Sequence, residues 1–303
     1  MVGPDDSPQV EPMKELDAKQ RIDQLIEQIN YHNQLYYQQD TSEISDYQFD
    51  MLLEELTRLE SEFPKYRYDY SPTKRVGGGI TKSFNSVTHR YPMLSLGNTY
   101  SMDELREFDA RVKKLLAHDH YRYFCELKFD GVALSITYQN GILTQAVTRG
   151  DGTKGDEITA NARTIKSLPL KINQPDLPPL FEVRGEVFMP NEVFHELNIT
   201  RERAGDPPLA NPRNTASGTL KMQDSSLVAK RSLDCFLYSV MGENLKFTTH
   251  SEAISHLEQW GFNVSQTYAA CPSIAEVEDY INHWEMRRFE LPLETDGIVI
   301  KVD

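Results

Sequence analysis

The stretch CELKFDG, residues 125–131, alternates apolar and ionisable side chains and ends at a glycine. Successive side chains of a β-strand point to opposite faces, so this alternation predicts a strand. Glu126, Lys128 and Asp130 would then share one face. Such a face is often simply solvated, but the same pattern also places a single amine between two carboxylates.

The segments around this stretch indicate more strands joined by short turns. VALSITY, residues 132–138, is followed by Asn140-Gly141, a strong hairpin signal, and then by ILTQAVTR. The order of elements predicts an α+β fold with largely antiparallel sheets. Further strands are predicted over 181–189, 234–240 and 296–302, further helices over 156–165, 191–203 and 251–261, and a loop of small residues over 210–221.

The first part of the chain has a helical pattern. Apolar residues recur at helical spacing over 14–63, with a polar break at 38–45. Capping boxes are predicted at Ser45 with Gln48 and at Ser101 with Glu104, the second opening a helix to about Ala117. The breaker SPTKRVGGG places a domain boundary near residue 70. We expect a disordered lead or tag remnant over 1–13, a helical domain over 14–70 and a second domain over 71–303.

Composition limits the classes of protein that fit. The 303 residues carry a net charge of −14, which opposes generic charge-driven nucleic-acid binding but allows a locally positive cleft. Three widely spaced cysteines predict neither a disulfide framework nor a zinc site. The acidic N-terminus is unlike a signal peptide, and no 18-residue apolar run occurs. We expect a cytoplasmic monomer that does not bind membranes.

Four more segments carry polar groups in the style of CELKFDG. TRGDGTKG places Arg149 before a glycine-rich loop, and glycines allow a backbone to approach a ligand closely. VRGE contributes Glu186, DGIVIK contributes Lys301, and ANPRNTASGTLK contributes Arg213 and Lys221. Each segment alone has an ordinary explanation, such as a tight turn, a charged outer face or a lysine that reaches water.

Together these residues fit attack by a lysine on phosphorus. Lys128 would be the nucleophile, and the other cations would hold phosphate oxygens. A free lysine is protonated at pH 7, and nearby carboxylates favour that charged form. Desolvation, clustered cations or a divalent metal must therefore favour the neutral amine, and we expect Mg²⁺ or Mn²⁺. The cations are Arg149, Arg213, Lys221 and Lys301, and the carboxylates for a ribose or a metal are Glu126, Asp130 and Glu186.

In this order, CELKFDG, TRGDG, VRGE, NPRNTASG and DGIVIKV resemble the adenylation domain of bacterial NAD-dependent DNA ligases. The K-x-D-G element alone is shared with ATP-dependent DNA ligases, RNA ligases and mRNA-capping enzymes. TRGDG, NPRN and PMLSLGN, residues 92–98, are more specific to the NAD-dependent group. The resemblance covers essentially residues 20–303.

The resemblance implies a nucleotidyltransferase fold preceded by a small helical domain. It implies that Lys128 attacks the α-phosphate of NAD, releases nicotinamide mononucleotide and keeps AMP, which a complete ligase passes to the 5′-phosphate of nicked duplex DNA in replication and repair. The other roles are implied in the same way. The adenine would be contacted by Glu126, Ser95 and Leu96, and Asp130 would bind near the ribose or assist the lysine. The nucleotide would also be contacted by Arg149, Glu186 and Lys301, and Glu186 could ligate a metal as well. Phosphate or DNA would be bound by Arg213 and Lys221.

The helical segment LYYQQDTSEISDYQFD, residues 35–50, resembles the part of the family that grips the nicotinamide half of NAD. Asp46 alone has an ordinary explanation, because an acid in the first turn of a helix favours the helix dipole. Asp50 lies four residues further on the same face, where a second like charge is mildly destabilising, and a site for a cationic pyridinium or a ribose explains that cost. Tyr36 would stack on or bond to the nicotinamide end. Tyr47 and Phe49 complete the expected set.

Three departures from the family qualify the resemblance. Phe49 stands where tyrosine is usual, and Lys221 stands where arginine is common, so bidentate phosphate binding is not available there. The chain stops at Asp303, before the later parts of such ligases, and nick sealing would need those parts. Two rival interpretations remain open: an ATP- or GTP-using K-x-D-G enzyme, and a binding module without turnover.

Overall fold

Two α-helices precede the first strand, and helices and strands are interspersed after it, in the computed structural model, which describes residues 15–39, 41–76 and 83–303. The predicted lead over 1–13 lies outside the described residues. The longer helices are α1 (Glu15–Gln39), α2 (Asp46–Glu62), α3 (Met102–Leu116), α4 (Thr159–Ala162), α5 (Asn191–Ala204), α6 (Pro212–Leu220), α7 (Ser225–Ala229), α8 (His250–Gln259) and α9 (Ile274–Arg287). The strands are β1 (Ser86–Thr88), β2 (Tyr123–Phe129), β3 (Val132–Gln139), β4 (Ile142–Thr148), β5 (Lys154–Asp156), β6 (Leu180–Phe188), β7 (Asp234–Gly242), β8 (Ala269–Cys271) and β9 (Thr295–Val302).

Helices α1 and α2 pack through an apolar cluster with Phe49 at its margin. The predicted capping box at the start of α2 is confirmed. The Ser45 hydroxyl accepts the N–H of Gln48, and the Gln48 side chain accepts the N–H of Ser45 at 2.9 Å. The buried members of the cluster are Ile22, Leu25, Ile26, Ile29, Leu56 and Leu59.

The strands form antiparallel sheets, which confirms the predicted fold class. One sheet has the order β8-β2-β9, a second has the order β4-β3-β6-β7, and β1 pairs with β5. The predicted hairpin joins β3 to β4, with φ of 50° at Asn140 and 74° at Gly141. Both angles suit the tight hairpin turn for which Asn-Gly is preferred.

Most of the segment 210–221 forms helix α6 rather than the predicted loop. Asn211 caps it by accepting the N–H of Asn214 at 2.7 Å, and Pro212 occupies its first turn. Asparagine before proline is a helix-start signal, and the small residues that suggested a loop let the helix pack closely. Thr219 and Leu220 are buried at its end.

Two other local predictions were wrong in part. The helix predicted over 156–165 is limited to α4, because the N–H groups of Glu157 and Ile158 bond to other loops and strands. The capping box at α3 is half formed. Ser101 accepts the N–H of Glu104, but the Glu104 carboxylate accepts the N–H of Tyr100 at 2.6 Å instead of that of Ser101.

The described residues fall into two units that divide between Lys74 and Arg75. The first unit contains α1 and α2, and the second contains the sheets and the other helices. The assignment of separate roles to the two units stays a prediction.

Candidate active site

Strand β2 positions Glu126 and Lys128. Cys125 and Leu127, on its opposite face, are buried and anchor the strand. Glu126 and Lys128 share the other face as predicted, since they are two residues apart in a regular strand. Asp130 does not continue this alternation, because the register against β9 shifts after Lys128 and the strand ends at Phe129.

Lys128 is held by Asp296, a carboxylate to which the sequence patterns gave no role. Its Nζ donates to both oxygens of Asp296 at 2.8 Å, from β2 to β9. About half of the Lys128 side chain is exposed, so the amine is accessible to a ligand. Asp296 opens the quoted DGIVIK segment, and its place before a glycine in an apolar strand was the signal that could have identified it.

Glu126 lies in a partly buried cluster with two basic groups. Lys301 Nζ donates to Glu126 Oε2 at 2.5 Å, and His250 Nε2 lies 3.2 Å from the same oxygen and 3.0 Å from Lys301 Nζ. Burial raises the pKa of Glu126, but the His250 hydrogen bond and the Lys301 charge outweigh it and leave the pKa below its ordinary value. Glu126 therefore stays charged. Nothing in the sequence around His250 indicated this contact.

The cations predicted for phosphate or DNA differ in their surroundings. Arg213 donates to Asp130 Oδ1 at 2.9 Å, and Lys221 lies 2.8 Å from Asp156. About half of each basic side chain remains exposed. The structure thus brings Arg213 and Asp130 together, while Lys221 belongs to a separate pair.

Glu186 on β6 is a partly buried carboxylate near the same charges. Burial raises its pKa to about 7, Asp296 raises it further, and the charges of Lys128 and Arg213 oppose that rise. Gly131, which follows β2, lies very close to β6. A Cβ there would meet the Val187 carbonyl oxygen at 2.2 Å and the Glu186 side chain at 3.0 Å, so glycine permits this close approach. A carboxylate whose pKa is raised to about 7 beside specific charged partners is typical of a functional site.

Arg149 lies exposed after β4, at the start of the predicted glycine loop. Gly150 and Gly152 have φ of 57° and 91°, so the loop uses the freedom that glycine provides. At Gly155 a Cβ would meet the Thr148 carbonyl oxygen at 1.7 Å. The chain therefore turns back tightly and presents Arg149 to solvent. Ser95 and Leu96 are also exposed, in the irregular segment before α3.

The first unit presents most of its predicted site residues to solvent. Asp46 and Asp50 are exposed in the first turns of α2, and Tyr36 and Tyr47 are exposed by 55% and 73%. Phe49 instead packs partly against the apolar cluster of the helix pair. The Phe49 ring thus contributes to the packing of the helix pair.

The described residues contain no group of three or more His, Cys, Asp or Glu side chains that could hold a metal. Mg²⁺ commonly binds through one or two carboxylates together with phosphate oxygens and water. Glu186 and Asp296 are the carboxylates available for such a limited role, since Asp296 is close enough to raise the pKa of Glu186. They do not form a complete metal site by themselves.

These contacts define a class of site. An accessible lysine amine lies against Asp296, with the charges of Arg213 and Glu186 close enough to influence each other. An amine with a carboxylate acceptor and nearby cations suits nucleophilic attack on a phosphoryl group. The fold and the site thus have the features of a covalent nucleotidyltransferase.

The chain belongs to the family of NAD-dependent DNA ligase adenylation domains, whose family model matches residues 81–303. A second model, of the DNA ligase-like N-terminal NAD⁺-binding domain, matches residues 15–77. These matches confirm the resemblance found in the sequence.

Curated relatives agree with the family. The chain is 57% identical over 291 residues to a DNA ligase of Cytophaga hutchinsonii, which covers 96% of this chain and 43% of that relative. It is 49% identical over 284 residues to a DNA ligase of Phocaeicola vulgatus, covering 94% of this chain and 43% of the relative. The chain thus spans less than half the length of these relatives. Among the helices in the described residues, none is both long and apolar enough to cross a membrane.

Proposed function

We propose that this chain carries out the first step of NAD-dependent DNA ligation. The Lys128 Nζ forms a bond to the α-phosphorus of NAD, and the bond from that phosphorus to the bridging oxygen breaks. Nicotinamide mononucleotide leaves with the bond electrons, and AMP stays on the lysine. In a complete ligase the AMP would pass to the 5′-phosphate of nicked duplex DNA, in replication and repair.

The observation that carries this proposal is the contact of Lys128 with Asp296. The attacking amine must lose a proton, and the Asp296 carboxylate at 2.8 Å is positioned to accept it as the bond to phosphorus forms. Because a carboxylate by itself favours the charged amine, the nearby cations and a bound metal would have to offset that preference. Half-exposure of Lys128 leaves room for the phosphate to approach. Asp296 thereby joins Lys128 and Asp130 in the proposed catalytic group, with Asp130 holding Arg213 toward the same region.

The charged cluster around Glu126 supports adenylate binding. Glu126 stays ionised and can accept a hydrogen bond from the adenine amino group, which is a donor. Lys301 offers a cation beside it, and Arg149 offers an exposed one. Ser95 and Leu96 would contact the base, and Arg213 and Lys221 would serve phosphate or DNA.

Glu186 is the residue that would contact Mg²⁺ or Mn²⁺ together with the nucleotide. When bound, the metal would withdraw negative charge from the phosphate. A cation close to Glu186 would also favour its ionised form, which burial disfavours. Nucleotide and metal binding would therefore release a proton from Glu186 near neutral pH.

The first unit would select the cofactor. Tyr36, Asp46, Tyr47, Phe49 and Asp50 would contact the nicotinamide mononucleotide half. Two exposed carboxylates one helical turn apart suit a ligand that carries a positive pyridinium. ATP lacks that half, so we expect the protein to prefer NAD.

Intact mass spectrometry tests this proposal. Incubation with NAD and Mg²⁺ should raise the mass by one AMP, and Lys128→Ala should abolish the gain. Lys113→Ala, which removes an exposed lysine of α3, is the matched control and should charge normally. A gain with ATP that equals the gain with NAD would identify a different K-x-D-G enzyme. No gain in the unaltered protein would favour a binding module.

A further inference from the structure

Arg184 on β6 makes a set of contacts that the proposed mechanism does not use. Its guanidinium donates to the carbonyl oxygen of Pro92 at 3.1 Å and to that of Tyr91. The same group lies 3.3 Å from Glu182 Oε1. Both charged side chains are nearly buried, with exposed fractions of 11% and 6%. Arg184 therefore fastens the chain at residues 91 and 92 to the four-stranded sheet.

The chain next to this contact is fixed to the glycine loop. The Met93 N–H donates to the Gly152 carbonyl at 2.8 Å, and the Met93 side chain is buried. A Cβ at Gly152 would lie 2.7 Å from the Met93 carbonyl oxygen, so glycine permits the close approach. The His89 ring lies 3.1 Å from the Arg149 carbonyl oxygen. The loop of Arg149 and the start of PMLSLGN thus form one bonded unit.

Beyond Met93 the segment has little support of its own. Residues 94–99 are exposed and irregular, and no backbone–backbone hydrogen bond joins them to other described residues. The next fixed point is Tyr100, whose N–H donates to Glu104 at 2.6 Å. The position of Ser95 and Leu96 therefore depends on the two ends of the segment. Arg184 holds one end, two residues before Glu186 on the same strand.

We propose that Arg184 is a positioning residue that places the 93–98 segment for binding of the adenylate half of NAD, without touching the reacting atoms. This inference rests on the proposed function. A planar guanidinium can donate to two successive carbonyl groups at once. Lysine has a single ammonium group without this forked geometry, and glutamine has no charge, so neither side chain can reproduce the contact. Loss of these two hydrogen bonds from Arg184, which we call the clamp, should weaken nucleotide binding and leave the Lys128–Asp296 contact in place.

The experiment must separate the clamp from the buried charge pair, because Arg184→Gln alone would leave Glu182 buried without its partner. Glu182→Gln is therefore compared with Glu182→Gln/Arg184→Gln, and Arg106→Gln serves as a surface arginine control. Single-turnover self-adenylylation is followed by intact mass over a range of NAD concentrations. The double variant should raise the half-saturating NAD concentration about tenfold relative to Glu182→Gln, the effect expected for losing charge-assisted hydrogen bonds, and change the maximal rate less than about threefold.

A binding measurement makes the test independent of turnover. NAD binding is measured by calorimetry in a Lys128→Ala background, with and without the Glu182→Gln/Arg184→Gln pair, and the dissociation constant should rise in parallel. Unchanged affinity in a folded double variant overturns the inference, as does a fall in maximal rate with unchanged half-saturation. Failure of the unaltered protein to take up AMP would refute the proposed function instead, and the binding comparison would still decide the role of Arg184.

Discussion

The Lys128 Nζ lies 2.8 Å from both carboxylate oxygens of Asp296, on the adjacent strand β9. The pair is half exposed, with 47% and 38% of the two side chains accessible. Exposed ion pairs contribute little to stability, so a structural role explains this one poorly. A carboxylate that orients an amine and can take its proton explains it better.

Asp296→Asn should slow self-adenylylation at least tenfold, because the amide keeps the shape of the side chain but cannot accept the proton. The free energy of unfolding should change by less than about 1 kcal/mol, as is usual for an exposed pair. The measurement is the rate of AMP uptake by intact mass together with urea unfolding. Asp103→Asn, which disrupts an exposed pair with Arg106, is the control. A normal rate in Asp296→Asn would remove this residue from the mechanism.

Glu186 should make the protein less stable as the pH rises from about 4.5 to 7. Burial raises its pKa from an ordinary 4.5 to about 7, so in this range the folded state keeps a proton that the unfolded state has lost. The contribution of protonated Glu186 to the stability of the folded state is fully present below about pH 4.5 and is lost as the pH passes 7. The loss is at most about 3 kcal/mol at 1.36 kcal/mol per pKa unit.

Urea unfolding between pH 4 and 8 checks this expectation. Glu186→Gln cannot titrate, so its stability relative to the unaltered protein should increase with pH across this window. Exposed Glu196→Gln, on α5, should show a constant difference. Parallel pH profiles for Glu186→Gln and the unaltered protein would show that the Glu186 carboxylate has an ordinary pKa.

Gly152→Ala should weaken both folding and NAD binding. Gly152 has φ of 91°, and a Cβ there would lie 2.7 Å from the Met93 carbonyl oxygen, so alanine is strained and pushes the two segments apart. We expect a loss of about 1–3 kcal/mol in unfolding free energy. At Gly97 a Cβ meets nothing within 4 Å, so Gly97→Ala is the matched control for folding. Equal stability of the two variants would contradict the close approach.

The sequence predicted the regular strands well, together with the placement of Glu126 and Lys128 on one face of β2. Alternation identified β2, and Asn140-Gly141 identified its neighbouring hairpin, because both patterns act over a few residues. Helix α6 was missed because its cap signal was outweighed by small residues. Asp296 and His250 depend on contacts between residues far apart in sequence, and Arg184 was visible only as part of a charged strand. A local sequence pattern cannot predict which carbonyl groups a guanidinium distant in sequence will contact.

Asp50→Ala should slow adenylylation by NAD, because it removes one of two exposed carboxylates expected to face the nicotinamide half. The reverse reaction, in which nicotinamide mononucleotide takes AMP from the lysine, should slow in parallel, since the same contacts serve both directions. Discharge by pyrophosphate should be unaffected. Glu62→Ala, an exposed carboxylate at the end of α2, is the control. If Asp50→Ala reacts with NAD at the normal rate, the nicotinamide site lies elsewhere.

The 303-residue chain should charge itself with AMP but seal nicks poorly. Duplex affinity comes largely from lysine and arginine side chains that neutralise phosphates, and here 32 basic residues face 46 acidic ones. Two cations proposed for DNA are already paired, Arg213 with Asp130 and Lys221 with Asp156. DNA phosphates would have to compete with these carboxylates. We therefore expect weak binding that is lost quickly as salt rises.

A nicked-duplex assay with pre-adenylylated protein measures this directly. At physiological salt the chain should convert little substrate, while the longer DNA ligase of Cytophaga hutchinsonii serves as the positive control. Arg213→Gln should reduce the residual activity at low salt, because it removes a cation that can reach a phosphate. Efficient sealing by the 303-residue chain at physiological salt would show that its own surface binds the duplex despite the net charge of −14.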